Sequence, residues 1–235
     1  MARAILVTGT NTAVGKTWVA AALARALTGA GLRVLAVKPV ETGCDDAPSA
    51  SEDGAILAGA TGQREPARAL RRFHAAIAPA QALEREDGSL DFDELVLELE
   101  RYEAAADVLI IEGVGGLLSP ITWEWNIADL AGALGAHALI VASDRHGSIN
   151  HTLLTLGAAE LAGLTVLGVV LTSPRVPDAS TGGNAAAIAR LSGTARVHVT
   201  PWTDDPDTAA AALRDVAEWV AADLAPPSAG PLGGV

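Results

Sequence analysis

The chain has 235 residues and a formal net charge of -12 at pH 7, and half of its residues are hydrophobic although only 3% are aromatic. The acidic balance argues against nucleic acid as the main partner, because non-specific binding to a phosphate backbone needs clustered Lys and Arg. The single cysteine, Cys44, excludes an intramolecular disulfide, and no apolar run is long enough to span a bilayer.

The first predicted elements are a strand, a glycine-bearing loop and a helix. The apolar run 4–7 is typical of a buried strand, and residues 18–27 continue at helical spacing. Between them, residues 9–17 fit the phosphate-loop pattern of Gly, four residues and then Gly-Lys-Thr. Gly9 and Gly15 let backbone amides approach phosphate oxygens, Lys16 reaches the terminal phosphates, and Thr17 ligates magnesium. This stretch predicts a nucleoside triphosphate site but not the reaction, since kinases, ligases and switches all use such loops.

Two further candidate site residues follow the loop. The second predicted strand, residues 31–37, is followed by Lys38 and Pro39. Ligands of open α/β sheets bind at the carboxyl ends of strands, so Lys38 is a candidate, with a solvated lysine as the alternative. Residues 51–57 resemble the start of a helix, with Asp53 in its first turn. Asp53 either stabilises the helix end or ligates magnesium, and the local sequence favours the helix end.

Glu112 is the second anchor of the predicted site. It follows the predicted strand 107–111, which is apolar after Asp107, and is itself followed by Gly113-Val114-Gly115-Gly116. Phosphate-loop proteins place an acidic residue on the magnesium side at the end of a buried strand. A surface acid is the alternative, but the apolar strand directs Glu112 to the same edge as Lys16 and Lys38.

The rest of the chain continues to alternate strands with helices. Strands are predicted at 138–142, 166–171 and 196–199, and helices at 127–134, after Gly147, and over 207–224. Gly147 and Ser148 make the start of their helix an anion site, which is compatible with ordinary capping by Ser148. We expect one α/β domain over residues 1–225 and a flexible Pro- and Gly-rich tail over residues 226–235. The chain enters its first strand without a signal segment, so we expect a cytoplasmic protein.

In this order, the motifs resemble those of the dethiobiotin synthetase family over most of the chain. The segments that carry the resemblance are GTNTAVGKT at 9–17, KPVETG at 38–43, SEDGAIL at 51–57, EGVGGLLSPI at 112–121, NIADL at 126–130, GSINHTLLT at 147–155, and Pro201-Trp202.

The resemblance implies an enzyme that takes 7,8-diaminopelargonate, carbon dioxide and ATP with magnesium, and closes the ureido ring of dethiobiotin. It implies a phosphate-loop α/β fold, in which a mostly parallel sheet of about seven strands is flanked by helices on both faces. It also implies a homodimer whose active site lies near the subunit interface.

The resemblance also assigns roles to residues by position. Lys16 and Lys38 would be catalytic, and Thr17, Asp53 and Glu112 would hold magnesium. The residues that would bind the nucleotide are Thr12, Ala13, Val14, Gly15, Lys16, Thr17, Glu112, Gly115, Gly116, Thr172, Pro201 and Trp202. The residues that would bind the substrate are Thr12, Lys38 and Thr42 and, contributed across the dimer, Gly147, Ser148, Ile149 and Asn150.

Two positions depart from the family pattern. Ala13 stands where the family usually carries an acid, and Thr172 lies where it commonly places an adenine-reading Asn. Two other classes also use the loop: amidating ligases of the cobyrinate type, and the partitioning or division-site ATPase switches. The first needs a glutaminase domain with a nucleophilic cysteine, and the second carries an additional lysine early in the loop. Cys44 lies in the nucleotide domain, and Asn11 and Thr12 occupy the early loop, so the synthetase is favoured.

Overall fold

A computed structural model of the chain describes residues 3–47, 49–194 and 196–224, so the tail predicted at 226–235 lies outside the described residues. The strands are β1 (Arg3–Gly9), β2 (Val34–Val37), β3 (Val40–Thr42), β4 (Arg71–Phe73), β5 (Val108–Gly116), β6 (His137–Ser143), β7 (Val166–Thr172) and β8 (Val197–Thr200). The helices are α1 (Lys16–Gly29), α2 (Asp53–Thr61), α3 (Pro79–Arg85), α4 (Phe92–Ala104), α5 (Ile127–Ala133), α6 (Ser148–Leu161), α7 (Asn184–Ser192), α8 (Pro206–Ala212) and α9 (Arg214–Leu224).

The central sheet is parallel, with the strand order β2-β5-β1-β6-β7-β8. This confirms the predicted α/β class. In the described part of the chain the sheet has six strands, where the resemblance implied about seven. β3 and β4 pair with each other in a separate two-stranded sheet. Pro39 separates β3 from β2, and because its ring nitrogen carries no hydrogen it cannot continue the ladder of β2.

The core lies on both faces of this sheet, as the alternation of side chains along β1 illustrates. Ile5 and Val7 face one side, where they join the apolar cluster that includes residues of α1, α8 and α9. Ala4 and Leu6 face the other side, with residues of α3, α4 and α5. Helices therefore cover both faces, as predicted. None of the helices that the structure describes combines the length and apolar character needed to cross a bilayer.

Several elements differ from the sequence prediction. Residues 64–90, for which no element was predicted, contain β4 and α3. The long helix predicted over 207–224 is two helices, α8 and α9, separated at Leu213, whose side chain is buried in the core. The carboxyl ends of β1, β2 and β5 lie side by side, and the predicted site lies at this edge of the sheet.

Candidate active site

The phosphate loop connects the end of β1 to the start of α1. Gly15 has a φ of 95° and precedes α1 without a capping side chain, so the first turn of the helix keeps its amides free for an anion. A Cβ on Gly15 would lie 2.9 Å from Thr172 Cγ2, so only glycine fits there. Ala13 also adopts a left-handed backbone, with a φ of 57°. The loop thus has the local geometry that its motif predicts.

The five predicted catalytic and metal-binding side chains meet at this edge of the sheet. Lys38 Nζ lies 2.7 Å from Glu112 Oε1 and 2.8 Å from Asp53 Oδ2. Thr17 Oγ1 lies 2.8 Å from both Asp53 Oδ1 and Glu112 Oε1. Lys16 Nζ donates to Asn11 O over 3.1 Å. The solvated-lysine interpretation of Lys38 was wrong, since only 3% of the residue is exposed.

Burial and neighbouring charges shift the pKa values of the side chains in this cluster. Burial and, to a smaller extent, the nearby charge of Lys38 lower the pKa of Lys16 to about 8. Burial also acts against the charge of Lys38, but the carboxylates of Glu112 and Asp53 outweigh it and raise the pKa of Lys38. Burial raises the pKa of Glu112, and Lys38 opposes this rise. For Asp53, burial acts to raise the pKa, but the charge of Lys38 together with the hydrogen bonds from Lys38 and Thr17 outweighs it and lowers the pKa.

The cluster contains a donor set that suits a divalent cation. Thr17 Oγ1, Asp53 Oδ1 and Glu112 Oε1 lie together, and the single hydroxyl proton of Thr17 can serve only one of the two carboxylates. Glu112 Oε2 is buried and has no hydrogen-bond partner among the residues that the structure describes. Oxygen ligands of this kind are preferred by hard cations such as magnesium. These residues therefore fit the predicted metal.

A cavity of about 590 Å³ opens beside the cluster. The predicted site residues that line it are Thr12, Ala13, Gly15, Lys16, Thr17, Lys38, Thr42, Asp53, Glu112 and Gly115. Val14 is buried behind the loop, and Gly116 lines a neighbouring groove. Most of the residues assigned to phosphate, metal and substrate thus share one space.

The residues assigned to the base side of the nucleotide do not line this cavity. Thr172 does not project freely, because its Oγ1 donates to Val14 O over 2.8 Å. Pro201 and Trp202 are exposed, and the guanidinium of Arg175 lies 4.3 Å from the centre of the Trp202 ring. Trp18 Nε1 donates to Thr203 O over 2.9 Å, which ties this segment to α1.

The segment Gly147–Asn150 does not line the cavity of its own chain. Gly147, with a φ of 90°, precedes α6, and no side chain caps this helix. The ordinary capping interpretation was wrong, because Ser148 Oγ donates back to Ser143 O. The amides at the start of α6 are free of a capping side chain, as an anion site requires.

The structure shows which groups Asp53 contacts and adds one residue to the site. The carboxylate of Asp53 points to Thr17 and Lys38, so it does not cap α2. The amides of Asp53 and Gly54 are instead bonded by Glu41, which also lines the cavity. Sequence reasoning missed Glu41. Its position in the KPVETG segment was a signal, but its partner lies 12 residues further along the chain.

The fold and this site define a phosphate-loop nucleotide-binding protein. The chain matches the family model described as "AAA domain" over residues 3–210. It is similar in fold to the septum site-determining protein MinD from Pyrococcus horikoshii, with a TM-score of 0.61 and 20% identity, over 97% of this chain and 100% of that chain. It is also similar to cobyrinic acid a,c-diamide synthase from Mycobacterium smegmatis, with a TM-score of 0.54 and 21% identity, over 93% of each chain.

Sequence relatives narrow this class to one family. The chain is 41% identical over 207 residues to a protein named ATP-dependent dethiobiotin synthetase BioD from Anaeromyxobacter dehalogenans, covering 86% of this chain and 92% of the relative. It is 36% identical over 191 residues to the Corynebacterium diphtheriae protein of the same name, covering 80% of this chain and 84% of the relative. The chain therefore belongs to the ATP-dependent dethiobiotin synthetase family.

Proposed function

We propose that the protein converts 7,8-diaminopelargonate, carbon dioxide and ATP into dethiobiotin, ADP and phosphate. The observation that carries this proposal is the meeting of Lys16, Thr17, Lys38, Asp53 and Glu112 beside one cavity, in a chain of this family. We further propose that it works as a cytoplasmic homodimer, in which the start of α6 from the partner subunit receives the substrate carboxylate.

The reaction explains why the site concentrates positive charge. One amine of the substrate bonds to carbon dioxide and loses a proton, giving a carbamate. A carbamate oxygen then attacks the γ-phosphorus of ATP, and the bond from that phosphorus to the oxygen of ADP breaks. Both partners are anions, so their approach needs fixed positive charge in a site that excludes water. Lys16 and Lys38 carry ammonium groups that can supply this charge, and the two residues are only 7% and 3% exposed.

The last step needs no side-chain nucleophile. The second amine attacks the carbonyl carbon of the carbamic-phosphoric anhydride and loses a proton, the bond from this carbon to the phosphate oxygen breaks, and phosphate leaves. Positioning and electrostatics account for most catalysis of phosphoryl transfer. Cys44 is buried, and burial raises the pKa of its thiol, which disfavours a reactive thiolate.

Thr17, Asp53 and Glu112 would hold magnesium, which neutralises charge on the triphosphate when bound. The oxygen cluster and the unpartnered Glu112 Oε2 support this assignment. Thr12–Thr17 with Gly115 and Gly116 would surround the phosphates, and Thr172, Pro201 and Trp202 would lie on the base side. Thr12, Lys38 and Thr42 would contact the diamine.

The test is ADP release from magnesium-ATP by the purified protein, with and without 7,8-diaminopelargonate and bicarbonate. We expect release to require both, and the product to be heavier than the diamine by one carbonyl less two hydrogens. ADP release that ignores the diamine would reject the synthetase in favour of a nucleotide switch or an amidating ligase. Analytical ultracentrifugation tests the dimer, and a monomer at working concentration would reject a shared site.

A further inference from the structure

The start of α2 is capped from a distance by Glu41 of β3. The N-cap residue, Glu52, makes no capping bond of its own, because its carboxylate is held by Arg72 at 2.6 and 3.1 Å. Glu41 Oε1 accepts from the amide of Asp53 over 2.6 Å, and Glu41 Oε2 accepts from the amide of Gly54 over 3.1 Å. Each oxygen of one carboxylate therefore satisfies a different amide of the first helical turn.

This contact is well placed to fix the backbone. Glu41 is only 7% exposed, so water competes little for its oxygens. A charged acceptor at a helix N-terminus is stabilised by the helix dipole, and its hydrogen bonds are stronger than neutral ones. Gly54 is held from the other side as well, since a Cβ there would overlap the backbone of Arg68 and Ala69. The first turn of α2 is thus confined between two neighbours.

The residue that Glu41 holds is the proposed metal ligand. The amide of Asp53 donates to Glu41, while the carboxylate of Asp53 contacts Thr17 Oγ1 and Lys38 Nζ at 2.8 Å each. Lys38 and Glu41 belong to one short segment that follows β2, so this segment holds Asp53 both by its side chain and by its backbone. Loss of Glu41 would free the amide and widen the range of positions that the Asp53 carboxylate samples.

We propose that Glu41 is a positioning residue, which sets the affinity of the site for magnesium by fixing the backbone of Asp53. The proposal deepens the function proposed above and rests on its assignment of Asp53 to the metal. Glu41 acts through hydrogen bonds to the amides and makes no bond to the metal itself.

The experiment compares Glu41→Ala and Glu41→Gln with the unsubstituted protein. Binding of ADP is measured by calorimetry across a magnesium titration, and unfolding by urea is measured on the same samples. We expect Glu41→Ala to raise the magnesium concentration at half-effect about tenfold, the usual scale for outer-sphere partners of metal ligands. Glu41→Gln, which keeps one acceptor oxygen, should raise it less and should fold even if the alanine variant does not.

A matched control is Asp91→Ala. Asp91 caps α4 through a 3.0 Å hydrogen bond from the amide of Glu94, and α4 does not line the cavity. Its loss should lower the urea concentration at the unfolding midpoint and leave the magnesium midpoint unchanged.

Three results would overturn the proposal. These are a folded Glu41→Ala or Glu41→Gln variant with an unshifted midpoint, an equal shift in Asp91→Ala, or ADP binding by the unsubstituted protein that ignores magnesium. Failure of the proposed reaction looks different. In that case the unsubstituted protein would make no dethiobiotin, while the magnesium midpoint would still shift in the Glu41 variants.

Discussion

Lys16 and Lys38 hold their charges in different ways. Lys38 lies between two carboxylates, whereas Lys16 Nζ reaches only a backbone carbonyl, that of Asn11, within hydrogen-bond range in the described part of the chain. The pKa of Lys16 is therefore the one that falls, to about 8, through burial and the charge of Lys38. Lys16 is the group whose charge depends on pH in the working range.

We predict that the affinity for ATP falls as pH rises above about 8. Below this pH Lys16 is already charged in the free protein, and a bound triphosphate raises its pKa because it favours the charged form. Above it, binding must take up a proton, so affinity falls by at most about tenfold per pH unit. The dissociation constant for ATP without magnesium is the measurement. Lys16→Met should bind ATP weakly, and its affinity should no longer fall above pH 8. If the affinity of this variant still falls with pH, another group is responsible for the pH dependence.

Glu112 provides a second prediction at this scale. Glu112→Gln keeps the size of the side chain but removes its charge, so we expect the magnesium concentration for half-maximal ADP release to rise about tenfold or more. Circular dichroism checks that the variant folds, since Lys38 loses a buried partner. A folded variant with a normal magnesium requirement would remove Glu112 from the metal site.

Cys44 should be dispensable. Its thiol is buried and makes a long hydrogen bond, 3.8 Å, to Glu41 O. We expect Cys44→Ser to keep the rate of dethiobiotin formation within about twofold and to cost about 1 kcal/mol of stability through the buried hydroxyl. A loss of turnover in the folded variant would reveal a role of the thiol in the reaction.

Among the elements, β7 supports the phosphate loop from behind. Thr172, the last residue of β7, donates to Val14 O, and its methyl group leaves no room for a side chain at Gly15. The loop is therefore held at its back by a strand that follows it by more than half the chain. Thr172 therefore supports the backbone of the phosphate loop.

Thr172→Val tests this support. Valine keeps the methyl contact with Gly15 but cannot donate to Val14 O, which leaves a buried carbonyl with one bond fewer. The loss of about 1 kcal/mol should weaken ADP binding about fivefold, with little change in the magnesium midpoint. Thr172→Ser, which restores the donor, is the control. Weaker binding in Thr172→Ser with unchanged binding in Thr172→Val would place the effect in the methyl group instead.

At the scale of the whole molecule, α9 contacts the end of the central sheet that lies opposite the candidate active site. Arg3 Nε and His137 Nδ1 lie 3.3 and 2.8 Å from Asp223 Oδ2. Arg3 NH1 lies 3.0 Å from His137 Nε2. These contacts join α9 to the amino ends of β1 and β6, at the end of the strands away from the cavity.

We predict that Asp223→Asn lowers stability without affecting the reaction. The partly buried acid joins two basic groups, so its loss should cost about 1–2 kcal/mol of unfolding free energy. Urea denaturation measures this cost, and the rate of ADP release at 25 °C should be unchanged. A rate that falls with stability intact would connect this end of the sheet to the site.

The fold class, and which residues would gather at the site, could be predicted from the sequence. The phosphate loop, Lys38 and Glu112 were predictable because each sits beside an apolar strand, and parallel strands bring their carboxyl ends to one edge. The motifs in order also determined the family, which the relatives confirm.

The partner that each polar group takes depends on the tertiary structure. Asp53 looked like a capping residue because local sequence shows the helix start but not Thr17, which lies 36 residues earlier. Thr17 and Glu112 meet across 95 residues, and Glu41 reaches Asp53 across 12. The separate pairing of β3 with β4 likewise depends on distant segments. Hydrogen bonds of this kind are set by how the packed core brings distant segments together, and no local pattern encodes that distance.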